Sequence, residues 1–435
     1  MQQPHHPSAR TLIAIALMML SLAAFAHAEP WPSWRGNEAG DGIAPTRSAP
    51  LNWSADKHVR WRIDLPEPGN STPIVWQNRI FVTQAVSPTR WRGLICFDRA
   101  TGKELWRQGL TYDKPERSHR ANPYCSASPT TDGQHVIAYY GSAGLVCYDL
   151  DGKEQWRREL GPIDHIWGHS TSPVIHGDLC IQYHGPGEGA YLIAVDKRTG
   201  QTVWRFDEPA WNTKDRSDGF RGRDDGVVGS FSTPITIRNG DRDELIMSFP
   251  NQLIALDPAT GKRLWHCDGL NPLVYTSPVY ADGTLIAMGG YYGNTIAVKV
   301  AADSRGDITE SQRLWQQVRH NGGIGTGVVK DGRMYYHNSG GIVFCLDIAT
   351  GKTLWKQRLP GQGKSWGSFL LVGDNIYTLS QSGETVIFKA SPTGLDVLAH
   401  NTLGEVTNSS PVPAGDDLIL RTHNALWCIT QPDAE

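Results

Sequence analysis

The sequence predicts an all-β fold, an eight-bladed β-propeller of four-stranded antiparallel blades. Three observations support this: a unit ending in Trp recurs along the chain, apolar residues alternate in short runs, and no window holds a 3.6-residue period. Successive units lie on average about 48 residues apart, which is the length of one blade of four strands. A single repeat architecture therefore accounts for most of the 435 residues.

The recurring unit reads Asp-x-x-Thr-Gly-x-x-x-Trp, and its Thr-Gly pair supplies the positive φ that a tight hairpin needs. Full copies end at Trp106, Trp204, Trp265 and Trp355, and a copy shortened by one residue ends at Trp156. Trp315 follows an insertion, Trp61 ends a copy that lacks its earlier part, and Leu398 ends a degenerate copy. These tryptophans are predicted to be buried on the outer strands.

Eight inner strands are predicted, one in each unit, around Pro73, Pro129, Pro173, Pro234, Pro278, Val328, Leu370 and Pro411. The chain reaches about Thr430 after three strands of the eighth blade. The segment from Val59 to Leu65, which carries Trp61, is predicted to supply the fourth strand and close the ring. Closure would remove the open sheet edges that invite aggregation.

The N-terminus is predicted to be an export signal. Arg10 is the only charged side chain before an apolar run from Thr11 to Ala26, and Ala26-His27-Ala28 offers small residues for cleavage after Ala28. A membrane anchor is the alternative, but the run is shorter than the roughly 20 residues that span a bilayer. Residues 1–28 are thus assigned to a signal peptide, 29–58 to an extended segment, 59–430 to the propeller and 431–435 to a tail.

Charge and cysteine content narrow the class of protein further. Lys and Arg number 41 against 44 Asp and Glu, and the net charge of −3 argues against a nucleic-acid binder. The first cysteine is Cys96, so no cysteine lies at the cleavage site to carry a lipid anchor. The expected mature protein is exported to the periplasm or secreted, without a membrane span and as a monomer.

The seven cysteines are predicted to be free thiols rather than a disulfide framework. Cys96, Cys147 and Cys345 each precede the Asp of a unit by two residues, where other copies have Ala, and Cys428 takes the matching place in the last blade. A disulfide among Cys125, Cys180 and Cys267 is the alternative.

The Asp-x-x-Thr-Gly-Lys-x-x-Trp units resemble the repeats of pyrroloquinoline quinone dehydrogenases and of their non-enzymatic relatives, which include the propeller lipoprotein of outer-membrane barrel assembly. The resemblance covers residues 59–430. It implies that each outer-strand Trp packs against the neighbouring blade. It carries little information about function, because the repeat is structural.

One face of the propeller is predicted to carry the function. The hairpins that contain Thr-Gly share a face built from short turns, whereas the connections between blades lie on the other face. Two of these connections are long, residues 107–125 and 205–229. Binding residues commonly lie on loops that a rigid scaffold positions. The best candidates in the second connection are Arg216, Phe220, Arg221 and Arg223.

The inner strands offer a second candidate site, a channel lined by small polar side chains. Two places before the inner-strand Pro or its substitute, seven of eight equivalent positions carry a hydroxyl. The eight positions are Ser71, Ala127, Thr171, Ser232, Thr276, Thr326, Ser368 and Ser409. Residues two places further from each strand would then rim the mouth and hold a planar ligand. That set is His169, Ser230, Trp366 and Thr407.

Catalytic motifs are missing from the sequence. The resembled dehydrogenases use adjacent cysteines and a Ca²⁺-binding acidic set, and neither pattern occurs here. His169 and His176 are expected on opposite faces, so no metal site is predicted. The sequence favours a non-catalytic protein that binds a protein partner or small ligand and needs no cofactor. A pyrroloquinoline quinone-dependent oxidoreductase is the alternative, and aromatic loops with Tyr291, Tyr292 and Trp91 leave carbohydrate binding open.

Overall fold

The computed structural model describes residues 29–214, 216–222, 227–320, 322–361 and 363–431. The predicted signal peptide, the tail beyond residue 431 and Arg223 lie outside the described residues. Eight antiparallel sheets follow one another along the described chain and form the predicted propeller ring. None of the helices in these ranges is long and apolar enough to cross a membrane.

The strands of the first four blades come directly after β1 (Val59–Asp64). Blade one comprises β2 (Ile74–Trp76), β3 (Arg79–Val86), β4 (Trp91–Asp98) and β5 (Glu104–Thr111), and blade two β6 (Thr130–Thr131), β7 (His135–Tyr139), β8 (Leu145–Asp149) and β9 (Glu154–Arg158). Blade three comprises β10 (Val174–His176), β11 (Leu179–His184), β12 (Tyr191–Asp196) and β13 (Thr202–Asp207). After β14 (Gly229–Ser230), blade four comprises β15 (Ile235–Asn239), β16 (Arg242–Phe249), β17 (Gln252–Leu256) and β18 (Arg263–Asp268).

The remaining blades repeat the pattern with one insertion. After β19 (Leu273–Val274), blade five comprises β20 (Val279–Ala281), β21 (Thr284–Met288), β22 (Thr295–Lys299) and, beyond β23 (Gly306–Asp307) and the short helix α1 (Thr309–Gln312), β24 (Arg313–Gln317). Blade six comprises β25 (Val328–Lys330), β26 (Arg333–His337), β27 (Ile342–Asp347) and β28 (Thr353–Arg358), and blade seven β29 (Leu370–Val372), β30 (Asn375–Leu379), β31 (Glu384–Lys389) and β32 (Asp396–Thr402). Blade eight comprises β33 (Val412–Ala414), β34 (Asp417–Arg421) and β35 (Ala425–Ile429). Two 3₁₀ turns span Ser87–Thr89 and Gly141–Ala143.

The N-terminal strand closes the ring as predicted. β1 pairs antiparallel with β35, so the eighth blade has the order β1-β35-β34-β33. The Trp61 indole donates a hydrogen bond to the Arg99 carbonyl of blade one, at 2.8 Å. The first and last parts of the chain therefore share one blade.

The repeat tryptophans join neighbouring blades. Six of the seven indoles donate to a backbone carbonyl of the next blade at 2.8–2.9 Å, and they belong to Trp61, Trp106, Trp156, Trp204, Trp315 and Trp355. Trp61 also packs over Gly102 of the next hairpin, whose φ of 72° suits glycine and where a Cβ would lie 2.8 Å from the ring. Trp265 differs because blade five carries its insertion at that hairpin, and its indole donates to Glu244 of its own blade.

Residues 29–58 cross the ring on the face of the short turns. Trp31 forms a β-bridge with Val75 of blade one, and Ala44 donates to Leu371 of blade seven. Trp31 and Trp53 are buried in the same hydrophobic cluster as strands of blades one, seven and eight. This segment therefore covers the end of the central channel opposite the long connections.

All seven cysteines are free and buried, which removes the disulfide alternative for Cys125, Cys180 and Cys267. Burial raises the pKa of the Cys96 and Cys147 thiols to about 12, so both stay protonated at neutral pH. As the repeat alignment predicts, these side chains serve as small apolar groups of the core.

Candidate functional site

The central channel holds a cavity of about 330 Å³, within the range of roughly 300–1,000 Å³ usual for ligand pockets. Its floor is the indole of Trp34, which arrives from the segment that covers the channel end. Beneath it, the buried guanidinium of Arg35 donates to the inner-strand carbonyls of Thr326, Gly327 and Phe369. The cavity is thus closed below and opens toward the connections between blades.

A belt of hydroxyls surrounds the lower part of the channel. In each blade, the N–H of one residue donates to the hydroxyl of the equivalent residue in the next blade, and the eight bonds of 2.8–3.2 Å form a closed circuit. The members are Thr72, Ser128, Ser172, Thr233, Ser277, Thr326, Ser368 and Ser410. Each hydroxyl satisfies a backbone donor that the narrow channel would otherwise leave unpaired.

The predicted hydroxyl ring was one residue out of register in six of the eight blades. The belt lies directly before the inner-strand Pro, and only Thr326 and Ser368 belong to both sets. Blades six and seven have Gly327 and Phe369 in place of this Pro, so counting from Val328 and Leu370 placed those two blades correctly and the others one residue early. Successive side chains of an extended chain point to opposite sides. Ser71 accordingly donates to Thr83 of its own blade.

The same register explains why three of the four predicted rim residues do not line the cavity. His169 is buried, with Nδ1 at 3.0 Å from the Gly185 carbonyl and Nε2 at 3.2 Å from the Ile163 carbonyl. Ser230 is fully buried and donates to Ser248 at 2.6 Å. Thr407 likewise donates to a carbonyl of its own blade. Trp366 does line the cavity. The sequence placed this residue correctly because the position in blade seven was counted from Leu370.

A second ring lies above the belt, two residues earlier in each blade. All eight of its members line the cavity: Asn70, Ser126, Ser170, Phe231, Tyr275, Ile324, Trp366 and Asn408. The polar members come from blades eight, one, two and three, and the apolar members come from blades four to seven. The mouth of the cavity therefore has a polar half and an apolar, mostly aromatic half.

An aromatic run leads from the rim into this apolar half. Tyr291 and Tyr292, both exposed, lie 4.9 Å apart, and Tyr291 lies 6.1 Å from Phe220. Phe220 lies 5.4 Å from Trp167, which stacks on Tyr275 at 6.1 Å, all distances being between ring centroids. Sequence reasoning missed Trp34, Trp167 and Tyr275. The signal for Tyr275 was its place three residues before Pro278.

The long connection 205–229 presents its predicted residues differently. Arg216 is buried, and its guanidinium donates two hydrogen bonds of 2.9 Å to the Asp218 carboxylate. Arg216 therefore stabilises the connection from within. It does not lie at the surface, where a binding residue was predicted. Phe220 lines the cavity mouth, and Arg221 is exposed beside it.

The cavity lining does not fit pyrroloquinoline quinone. This cofactor carries three carboxylates, and the described residues that line the cavity include no Lys or Arg to balance them. The described ranges also hold no cluster of three or more His, Cys, Asp or Glu placed for a metal ion. The residues present instead suit an uncharged ligand.

A buried carboxyl at the start of the long connection should make stability depend on pH. Burial raises the pKa of Glu208 from its usual value of 4.5 to about 7, although Tyr183 donates a hydrogen bond to it. The folded state therefore retains a proton that the unfolded state loses, and stability falls as pH rises from 4.5 to about 7. We expect the melting temperature of the wild type to fall by roughly 2–4 °C across this range relative to Glu208→Gln. Thermal melts of both proteins, with exposed Glu188→Gln as control, check this; parallel curves would contradict it.

Comparison with known proteins places the chain among two kinds of propeller. It is 27% identical over 297 residues to outer membrane protein assembly factor BamB of Yersinia pestis, covering 65% of this chain and 67% of that protein. It is 23% identical over 338 residues to quinoprotein glucose dehydrogenase A of Acinetobacter calcoaceticus, covering 61% of this chain and 41% of the enzyme.

Solved structures of both kinds share the fold. BamB from Moraxella catarrhalis gives a TM-score of 0.60 at 13% identity, covering 87% of this chain and 98% of that chain. A europium-containing methanol dehydrogenase gives 0.67 at 11% identity, covering 90% and 89%. Residues 90–357 and 188–433 match the family described as outer membrane protein assembly factor BamB. Because these matches together span most of the chain, this protein belongs to that family of quinoprotein-type propellers.

Proposed function

We propose that this protein is an exported, non-catalytic binding propeller that holds a protein partner on the face bearing the long connections. The observation that carries the proposal is the asymmetry of the two ends of the channel. One end is covered by residues 29–58 and short turns, whereas the other opens between connections that present Phe220 and the exposed Arg221. Arg and aromatic residues are the usual anchors of protein interfaces.

The family supports this role. Its relatives are named as assembly factors for outer membrane proteins. An assembly factor acts through contacts with other proteins, which a rigid ring with exposed loops can supply without catalytic groups. Dehydrogenases are also found among the relatives and among the solved structures with this fold. The fold alone therefore does not decide between a binding protein and a dehydrogenase.

Recovery of partners from an exported-protein fraction tests the proposal. We expect the tagged full chain to recover at least one partner, and Phe220→Ala or Arg221→Ala to lower its recovery about tenfold. Arg198→Ala is a matched control, because Arg198 is an exposed arginine on the opposite face, in a Thr-Gly hairpin. If Arg198→Ala loses the partner while the other two variants recover it fully, the partner binds the face of the Thr-Gly hairpins and the proposal is wrong.

A quinone-dependent oxidoreductase is the second candidate, and the dehydrogenase relatives favour it. Titration of the protein with pyrroloquinoline quinone, with and without Ca²⁺, separates the two. We expect no saturable change in the quinone absorbance, because the described cavity lining carries no cation for its carboxylates. Saturable binding that Ca²⁺ strengthens would favour the oxidoreductase.

A further inference from the structure

We infer that the channel cavity binds an uncharged carbohydrate, with a sugar ring stacked on the aromatic half of the mouth and its hydroxyls bonded to the polar half. This inference deepens the proposed function and rests on it in one respect, since both use the open end of the channel. It assigns a small-ligand site beside the surface proposed for a protein partner.

The first support is the division of the mouth into two halves. Phe231, Tyr275, Ile324 and Trp366 form a continuous apolar arc, and Asn70, Ser126, Ser170 and Asn408 form the facing arc. A pyranose has the same division, because one side of its ring exposes C–H groups while its edges carry hydroxyls. The face of an aromatic ring carries partial negative charge and attracts the weakly positive C–H groups.

The second support is a set of polar atoms on the aromatic side chains that have no partner in the protein. Trp34, Trp167 and Trp366 line the cavity, and their indole nitrogens donate no hydrogen bond to any described residue. The seven repeat tryptophans provide the contrast, because each of their indoles donates to a carbonyl or carboxylate. Tyrosine and tryptophan present an apolar body with a polar tip that seeks a partner.

Tyr275 adds a fourth such group. Its hydroxyl makes no hydrogen bond within the described chain, and burial raises its pKa well above the usual value for tyrosine. The hydroxyl is therefore protonated at neutral pH and can donate or accept. A polyhydroxylated ligand supplies both kinds of partner, whereas an apolar side chain of a peptide supplies neither.

The third support is the charge of the lining. No Asp, Glu, Lys or Arg occurs among the described residues around the cavity. A charged ligand would lose its hydration there without gaining a partner of opposite charge. The amides of Asn70, Asn122 and Asn408 at the mouth are neutral, and each already donates a hydrogen bond within the protein. An amide oxygen has two lone pairs, and those of Asn70 and Asn408 each accept one hydrogen bond from a side chain, so acceptor capacity remains for the hydroxyls of a neutral sugar.

Saturation-transfer NMR on the mature protein tests the assignment with maltotetraose, cellotetraose and chitotetraose as separate probes. We expect at least one of them to bind. Trp366→Ala should weaken that binding about tenfold or more, and Tyr275→Phe, which keeps the ring and removes only the hydroxyl, roughly fivefold. Trp211→Ala is the matched control, because this exposed tryptophan of the same face lies outside the cavity lining and should leave binding unchanged.

Any of several results would overturn the inference. They are the absence of signal with all three sugars, equal binding by the Trp366→Ala and wild-type proteins, and equal or tighter binding of tetragalacturonate, which is charged. Binding of an acetylated, amidated Trp peptide in place of every sugar would likewise reject it. If the sugars fail while Phe220→Ala and Arg221→Ala still lose the protein partner, the proposed function stands without this inference. If the sugars bind and no partner is recovered, the reverse holds.

Discussion

Deleting residues 29–66 should destabilise the protein and make it aggregate. The deletion removes β1, which pairs with β35 from Val59 to Asp64 and supplies Trp61 to the contact with blade one. Blade eight would then end on an unpaired, apolar edge strand, and such edges recruit other chains. The expected loss is on the order of the whole stability of a domain, about 5 kcal/mol or more. Sedimentation velocity and thermal melts measure it.

Deleting only residues 29–55 is the control, since it leaves β1 in place. The structure makes this deletion more costly than the sequence suggests, because Trp31 and Trp53 are buried and Arg35 bonds three inner-strand carbonyls. We expect a monomer with a lower melting temperature and an open channel end. A 29–66 deletion that stays monomeric and melts at the wild-type temperature would refute closure of the ring by β1.

The fold was predictable because each conserved position of the repeat has a local structural role within one hairpin or between neighbouring blades. An Asp that caps the hairpin, a Gly that takes positive φ and a Trp that reaches the next blade recur together. In blade one, for example, Thr101 bonds Asp98 and the Trp61 indole covers Gly102. Each element is local in sequence, so counting copies sufficed to count blades. The outer strand of blade eight followed from the one Trp without a preceding unit.

The cavity was less predictable because its lining depends on which side of a strand each side chain faces. An error of one residue exchanges the channel side for the blade side, and this moved His169 and Ser230 into the wall. Blades six and seven lack the inner-strand Pro, so aligning all eight blades on this position gave a register that is wrong for the other six. Trp34 could not be placed at all, since nothing local to residues 29–58 specifies which channel end they cover.

Arg421 shows a further limit of sequence reasoning, and replacing it should be strongly destabilising. It ends β34 as an ordinary strand residue in sequence, yet its side chain is fully buried at the seam between blades eight and one. The guanidinium donates to the Thr83 carbonyl at 2.9 Å and to the Gln84 amide oxygen at 2.7 Å, and also bonds Ser71. All three partners belong to blade one or to the residues leading into it, so this side chain joins the two ends of the ring.

Two opposing effects decide how much stability is lost when Arg421 is truncated. No carboxylate contacts the guanidinium within the described structure, and burial lowers its pKa from 12.5 to about 9, so removing the charge recovers a desolvation cost. Truncation, however, leaves a cavity as long as the side chain and removes one donor from each of three buried acceptors. A large-to-small change in a core costs about 2–5 kcal/mol, and each stranded polar group adds about 1–3 kcal/mol. The cavity and the stranded acceptors therefore outweigh the recovered charge.

We thus expect Arg421→Ala to lower the free energy of unfolding by about 3–5 kcal/mol, measured by urea denaturation. Arg421→Met is the informative partner, because it fills most of the space, removes the charge and still strands the acceptors. Its loss should be smaller, about 1–3 kcal/mol, since a buried charge replaced by an apolar side chain of similar volume recovers its desolvation cost. If Ala and Met variants are equally destabilised, the hydrogen bonds across the seam matter and the packing does not. If the Ala variant unfolds within about 1 kcal/mol of the wild type, a typical surface effect, Arg421 does not hold the seam.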